Sequence, residues 1–529
     1  MTAGRYAFPL LCWVFFLLAA MLTALVVPVG EGFDEPWHMG YVQYVATTGA
    51  LPPSPHLRLS REMQEFLEIG PVGTVLDRLY PKLQSHDSYW MADPETRNQK
   101  DTRARNLRFS AAYVEADSGF EQYESHQPPL YYLLCAPVFK LWTATSLPSA
   151  FLLVRIWSVL IASTLIPLTF LLSREVSQSV SIANAATLLT AMFPGIYPDL
   201  VRVSNDALAV PLATAACLML ARYVRTRSTR DAGGLGLILL TGLATKAFFI
   251  PIFGCVLLNM LMLRAPLVAG SFLALTLPGW IFYIRNATIT GSFTGLPETV
   301  QAQTSVVSSF TVVLQIDWIG VIRLAAATHI WTGFWSLLPL RSWMHQTVFC
   351  VFLLASAGFV LHLLKSKHAT ARVLSVLYIT YLLALMYYAT QTFQSTTQAI
   401  IQGWYITPFV AFEACVFTLG VAQLLKGGYR TAAVSIAAFA LLALLIYGTL
   451  FVAAPYYTGF TSHAPSGHLR PYSPAVADIP IISARAVRLF PLLPTLSIPV
   501  VSLAVLSLGL SLIAGFVKKE SKRPDGPIE

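Results

Sequence analysis

Four short polar clusters interrupt an otherwise apolar chain, and their residue types suit acid–base and phosphate chemistry. The first is "GEGFDEPWH", with Glu31, Asp34, Glu35 and His38. The second is "ESHQPPLYY", with Glu124, His126 and Gln127 ahead of a proline pair. The third is "RVSNDALAV", with Arg202, Asn205 and Asp206, and the fourth is Lys246 in "TKAFFIP". Carboxylates can act as general bases or bind a divalent metal. Imidazole and ammonium groups can hold a phosphate, and helix N-termini add amide donors. Each cluster also has a plain structural reading. Pro36 after an acidic pair starts a helix, and "HQPP" is an extended entry into one. "SNDALA" caps the next helix with Asp206 at the positive end of its dipole, and Lys246 can snorkel to an interface.

The elements that must position these clusters are membrane helices. The chain has 529 residues, 55% hydrophobic and 12% charged, with mean hydropathy +0.62. Soluble domains carry about a quarter charged residues, so this composition specifies an all-α polytopic membrane protein. The net charge of +9 then sets orientation through loops and is no sign of nucleic-acid binding. All six cysteines lie in apolar segments without a CxxC pair, which predicts buried free thiols. The apolar run at the N-terminus is too long for a signal peptide and lacks a cleavage site, so it is expected as a retained first span.

Apolar runs of span length fall near 8–29, 148–172, 181–199, 206–223, 233–249, 251–263, 266–285, 345–364, 372–390, 399–424, 431–454 and 490–517. The expectation is about 12 transmembrane helices, within 10–14. With the N-terminus cytoplasmic, Arg174, the Arg222–Arg230 loop, Arg264, "KSKHATAR", "KGGYR" and "KKESKR" all fall inside, as the positive-inside rule requires. Both termini are then cytoplasmic. Two further apolar pieces, 128–142 and 323–340, would invert the later loops if either crossed alone. They are expected as interfacial helices on the outer side. The stretch "HIWTGFWSLLPLRSW", with His329 and Arg341, should pack at that interface. A large extracytoplasmic loop, 30–147, follows the first span, and residues 1–529 read as one domain. This topology puts all four polar clusters on one face, which four unrelated helix caps need not do. Asn286 matches a glycosylation sequon on that side, a short match of low specificity. No Walker A, GxGxxG, HExxH or GxSxG motif is present, so no nucleotide is implied.

The order of these motifs resembles the membrane glycosyltransferases of the C superfamily that use lipid-linked sugars. The similarity is to glycosyltransferase family 39, protein O-mannosyltransferases and the lipid A aminoarabinose transferase. It is carried by "GFDEPWHMGYVQYVATTGALP", "ESHQPPLYYLLCAPVF", "SNDALA", "GLATKAFFIP" and "QGWYITPFV", over about 400 residues. The resemblance implies a polyprenyl-phosphate-linked sugar donor at the extracytoplasmic face of a bacterial inner membrane. It implies inverting transfer to a hydroxyl of a protein, lipid or glycan. Asp34 would be the general base with Glu35 beside it. His126, Gln127, Asp206, Lys246, Gln402 and Tyr405 would bind substrate, and Asp34 and Asp206 would be the ligands of any divalent metal. The family's loop arginine is Trp404 here, so its cationic donor contact does not carry over while Gln402 and Tyr405 remain. The basic residue before "PPL" in the aminoarabinose transferase is Gln127 here, with His126 one place earlier. The alternative is a flippase or transporter for lipid-linked sugars, which would place ionisable residues at mid-membrane in broken helices.

Overall fold

The computed structural model describes residues 3–53, 56–142, 144–262, 266–296, 300, 311–366 and 368–521. Among these, nine helices are long and apolar enough to cross a membrane: Tyr6–Val26, Leu147–Ser177, Asp206–Thr226, Leu267–Thr290, Ser342–Lys365, Ala369–Thr396, Thr407–Leu424, Gly427–Tyr457 and Ser497–Ser521. The chain is an all-α polytopic membrane protein. Three other expected spans are shorter helices, Val180–Met192, Thr229–Leu243 and Phe249–Met262. The last two form the hairpin expected around "TKAFFIP". The expected span at 399–424 begins only at Thr407, because residues 398–402 are not helical and a 3-10 turn, Gly403–Tyr405, follows. Arg264, Lys367, Lys522 and Arg523, used above for orientation, lie outside the described residues.

The two extra apolar pieces are short helices. Leu130–Trp142 and Trp318–Ile330 have 13 residues each. That is about 20 Å of helix, short of the roughly 30 Å hydrocarbon core. From Trp331 the chain leaves the helix, so 323–340 is not one continuous element.

The first loop is folded. Helices Glu35–Thr48, Arg61–Ile69, Thr74–Leu79, His86–Met91 and Pro94–Asn106 pack around Leu59, Met63, Phe66, Leu76, Leu83 and Phe120, all buried. Their starts follow capping chemistry. Ser60, Ser85 and Asp93 each accept the backbone N–H three residues on, and Pro94 follows its cap. Among the described residues one pair of two-residue parallel strands forms, Pro71–Val72 with Gln84–Ser85. Five of the six cysteines are buried thiols as expected. Cys350 is exposed on the Ser342–Lys365 helix, most of whose surface is unburied within the chain.

Candidate active site

After the first span the chain turns through Gly30–Gly32 into the helix Glu35–Thr48. Gly32 is required there, since a Cβ would lie 2.6 Å from the Arg202 Cβ. Glu35 holds this turn. Its Oε2 accepts the backbone N–H groups of Gly30 (3.0 Å) and Gly32 (3.2 Å), and its Oε1 accepts that of Val203 (2.9 Å). Arg155 donates to the same carboxylate from Nε (2.9 Å) and Nη2 (2.6 Å). The guanidinium also donates to the carbonyls of Ala24, Val27 and Pro28. Glu35 is 0% exposed and Arg155 1% exposed. A buried ion pair holds when its remaining hydrogen bonds are satisfied, as they are here.

Asp34 faces a different environment. Its backbone is left-handed, φ 57° and ψ 9°, and its side chain makes no capping bond to the helix it starts. Its carbonyl accepts the first helical N–H groups, from Trp37 and His38. Such a conformation is costly for any residue but glycine, and aspartate is among those that tolerate it best. Pro36 at the helix start and the Glu35–Arg155 pair over-determine it. Asp34 is half-buried, whereas Glu35 and Asp206 are fully buried.

The other three clusters converge around this turn. Arg202 donates to the Phe33 carbonyl (2.6 Å) and, through Nη2, to Asp206 Oδ2 (2.8 Å). Lys246 donates from Nζ to Asp206 Oδ1 (2.5 Å). Lys246 therefore does not snorkel; it is an ion-pair partner with 14% of its side chain exposed. Asn205 donates to Gln127 Oε1 (3.0 Å) and to the Thr245 carbonyl (3.2 Å), tying the second, third and fourth clusters together. Gln127 Nε2 lies 3.1 Å from His126 Nε2, and His126 Nδ1 bonds the Tyr123 carbonyl at 2.8 Å. His38 Nδ1 is 2.8 Å from the Tyr132 hydroxyl, and its Nε2 is 3.9 Å from Glu124.

Burial pushes the Glu124 carboxyl well above the usual range, and the Asp34 carboxyl adds to the rise against Lys246 and Arg202. Burial, with Arg202 and Lys246 nearby, holds the His38 imidazole well below its usual value. Burial also brings His126 down to about 4, against its bond to the Tyr123 carbonyl and with Lys246 contributing. At neutral pH the two imidazoles are uncharged, and burial favours the protonated form of Glu124. Arg202 and Lys246 then face Asp206, with Asp34 at the edge.

Gln402 and Tyr405 come from the turn before the Thr407–Leu424 helix. Tyr405 lies 3.4 Å from the Tyr388 hydroxyl, and burial, Tyr388, Tyr123 and the Asp34 carboxyl all raise its phenol. Trp404 packs on Phe33, ring centroids 4.5 Å apart, and lies under the Arg202 guanidinium at 5.5 Å. Trp335 also packs on Phe33, with ring centroids 4.7 Å apart. Among the described residues, no hydrogen bond joins the Gln402 side chain to the cluster. Asn286 is buried, its amide donating to the His126 and Thr294 carbonyls, so the sequon asparagine is occupied in the fold.

Asp206 does not fit a metal ligand, because its oxygens carry Arg202, Lys246 and Ser204. Among the described residues no three His, Cys, Asp or Glu side chains converge as a metal site. Sequence reasoning missed Arg155, the partner that makes Glu35 a holding group. A lone arginine inside the apolar run "FLLVRIWSVLIA" was the signal, since an ionisable residue within a span marks function by default.

No protein-family model and no curated protein matches the chain. Among solved structures it is similar to ArnT from Cupriavidus metallidurans bound to undecaprenyl phosphate, at 11% identity and TM-score 0.46, covering 98% of this chain and 78% of that one. It is similar to arabinosyltransferase EmbB from Mycobacterium smegmatis, at 12% identity and TM-score 0.40, covering 96% of this chain and 40% of that one. The oligosaccharyltransferase of Archaeoglobus fulgidus follows at 14% identity and TM-score 0.40, covering 87% and 54%. These are C-superfamily membrane glycosyltransferases, the group whose motif order the sequence resembles. Likeness at this level carries no argument about chemistry, which rests on the side chains described above.

Proposed function

We propose that the protein is a membrane glycosyltransferase that moves a sugar from a polyprenyl phosphate to an acceptor hydroxyl at the extracytoplasmic face. The observation that carries this reading is Asp34: a half-buried carboxyl held in left-handed backbone at the rim of a buried cluster of two cations. In the proposed reaction Asp34 takes the acceptor hydroxyl proton as that oxygen bonds to the anomeric carbon. The sugar–phosphate bond breaks with inversion, and the lipid phosphate leaves with the bonding electrons. Lys246 and Arg202 supply positive charge for the leaving phosphate, and His126 and Gln127 supply polar contacts. Glu35 aims the acid through the turn it holds and makes no contact with substrate. The donor set around Asp206 favours a reaction that uses these cations in place of a metal.

Transport of the same lipid is the second reading, favoured by ionisable side chains buried within apolar helices, Arg155 among them. One experiment separates the two. Purified protein is incubated with radiolabelled polyprenyl-phosphate sugars and a membrane extract, comparing wild type with Asp34→Asn. Loss of a general base should lower transfer by about 10²–10⁴-fold, with the melting temperature unchanged. Full transfer by Asp34→Asn overturns the assignment. Lipid translocation in vesicles without any transfer supports the carrier.

A further inference from the structure

His329 was expected to pack at an interface, yet it ends the helix Trp318–Ile330 with only 12% of its side chain exposed. Its Nε2 lies 2.8 Å from Glu413 Oε2, and its Nδ1 lies 3.3 Å from the Gly403 carbonyl oxygen. Both ring nitrogens thus face oxygen atoms, an arrangement that an imidazolium satisfies by donating on both sides. Glu413 sits in the apolar helix Thr407–Leu424, and its other oxygen accepts the Tyr378 hydroxyl at 2.5 Å. A buried charge pair here is costly unless something is gained by it.

What the pair holds is the turn from Gln402 to Tyr405. The Gly403 N–H donates to Thr328 Oγ1 (2.8 Å), and Tyr381 donates to the Tyr405 carbonyl (2.6 Å). A Cβ on Gly403 would overlap the backbone of His329, so turn and helix end are in direct contact. Thr407 Oγ1 donates to Asp199 (2.8 Å) just beyond the turn. The turn carries Trp404, which packs on Phe33, the residue before Asp34, and under Arg202, which donates to the Phe33 carbonyl. The charged or titratable groups facing His329 are Glu413 and, further off, Asp199.

We propose that His329 is a positioning residue: clamped as an imidazolium between Glu413 and the Gly403 carbonyl, it fixes the Gln402–Tyr405 turn and so seats Trp404 against Phe33 and Arg202 beside Asp34. The proposal rests on the glycosyltransferase reading for its consequence in turnover, and on geometry alone for the placement of the turn.

The test has two arms. In the first, Gln402→Cys is introduced with Cys350, the exposed native thiol, replaced by serine, and alkylation by a thiol reagent is timed. His329→Gln should speed alkylation severalfold. Thr328→Val, which removes one neutral bond to the same turn, should speed it less, and it carries the arm if the histidine variant does not fold. In the second arm, donor-dependent transfer by His329→Gln should lose kcat by about 10²-fold, as a small misplacement of a catalytic group costs. The donor KM should stay near wild type. Glu413→Gln should behave alike, and the double variant should be no worse than either single one, since the two act as one unit. Unchanged alkylation in both variants overturns the positioning role. Faster alkylation with wild-type kcat overturns its link to Asp34. Absence of transfer by the wild type sinks the functional reading instead, while the alkylation arm still decides where the turn is held.

Discussion

His126 shows how burial of a single side chain becomes a pH dependence of the whole fold. Its ring is 6% exposed and burial brings its pKa to about 4 from an ordinary 6.5. The folded value lies below the unfolded one, so the unfolded chain binds the proton more readily. The neutral ring therefore contributes its full stability above pH 6.5, and that contribution is lost as the pH falls through about 4. His38 shifts in the same direction and adds to the same acid-side loss. Melting temperatures in detergent should decline between pH 6.5 and 4, and His126→Asn should flatten part of that decline. A slope unchanged by the substitution would assign the acid sensitivity elsewhere. The same scale separates the two adjacent acids. Asp34 and Glu35 differ by one position, yet one is a partly exposed carboxyl in strained backbone and the other is saturated by five donors, two of them from Arg155.

Close backbone approach sets the geometry between elements. The helix Glu35–Thr48 lies on Leu130–Trp142, where the Tyr41 and Tyr132 rings stack at 3.7 Å. That stack and the Tyr132–His38 bond carry the second cluster to the first. Ser342–Lys365 meets Thr407–Leu424 at Gly358 and Gly420. A Cβ on Gly358 would lie 2.5 Å from the Gly420 carbonyl oxygen, and one on Gly420 would overlap the Ala355 carbonyl. Small residues allow such contact between membrane helices, where lipid removes the hydrophobic drive for association. Gly420→Leu should therefore push the pair apart and cost about 1–3 kcal/mol of stability, read as a lower melting temperature. Because Thr407–Leu424 also carries Glu413, the substitution should disturb the turn at Trp404 as well. A variant with wild-type melting would show that the contact tolerates bulk.

For the molecule as a whole, the site depends on parts distant in sequence closing over one another. The late segment docks on the first loop: Asp87 meets His463 at 2.8 Å, Trp90 donates to the Tyr457 carbonyl at 3.1 Å, and Arg485 stacks on Trp90 at 4.8 Å. From charge bias alone, this face is expected outside and the loop at Thr226 inside. A cysteine replacing Met91, which is 84% exposed, should react with an impermeant thiol reagent in intact cells. One replacing Thr226 should react only after permeabilisation. Labelling of position 226 from outside would invert the topology and remove the extracytoplasmic site.

Composition and hydropathy by themselves specified an all-α membrane protein, because an apolar run of span length has one stable form in lipid. Each of the twelve apolar segments read from the sequence lies wholly or largely on helix, and nine helices meet the length for crossing. The polar clusters were also legible: Asp34, His126, Gln127, Asp206 and Lys246 interrupt apolar sequence, and the fold gathers them. Their partners were not. Nothing in "DEP" says which acid turns toward Arg155, 120 residues away, because that choice depends on the left-handed turn at Asp34 and on which helices pack behind it. The lone charges Arg155 and Glu413 were visible as anomalies within spans, but only tertiary packing paired one with Glu35 and the other with His329. Local sequence thus set the helices and the chemistry available. Long-range packing decided which charges neutralise one another and which carboxyl remains at the rim.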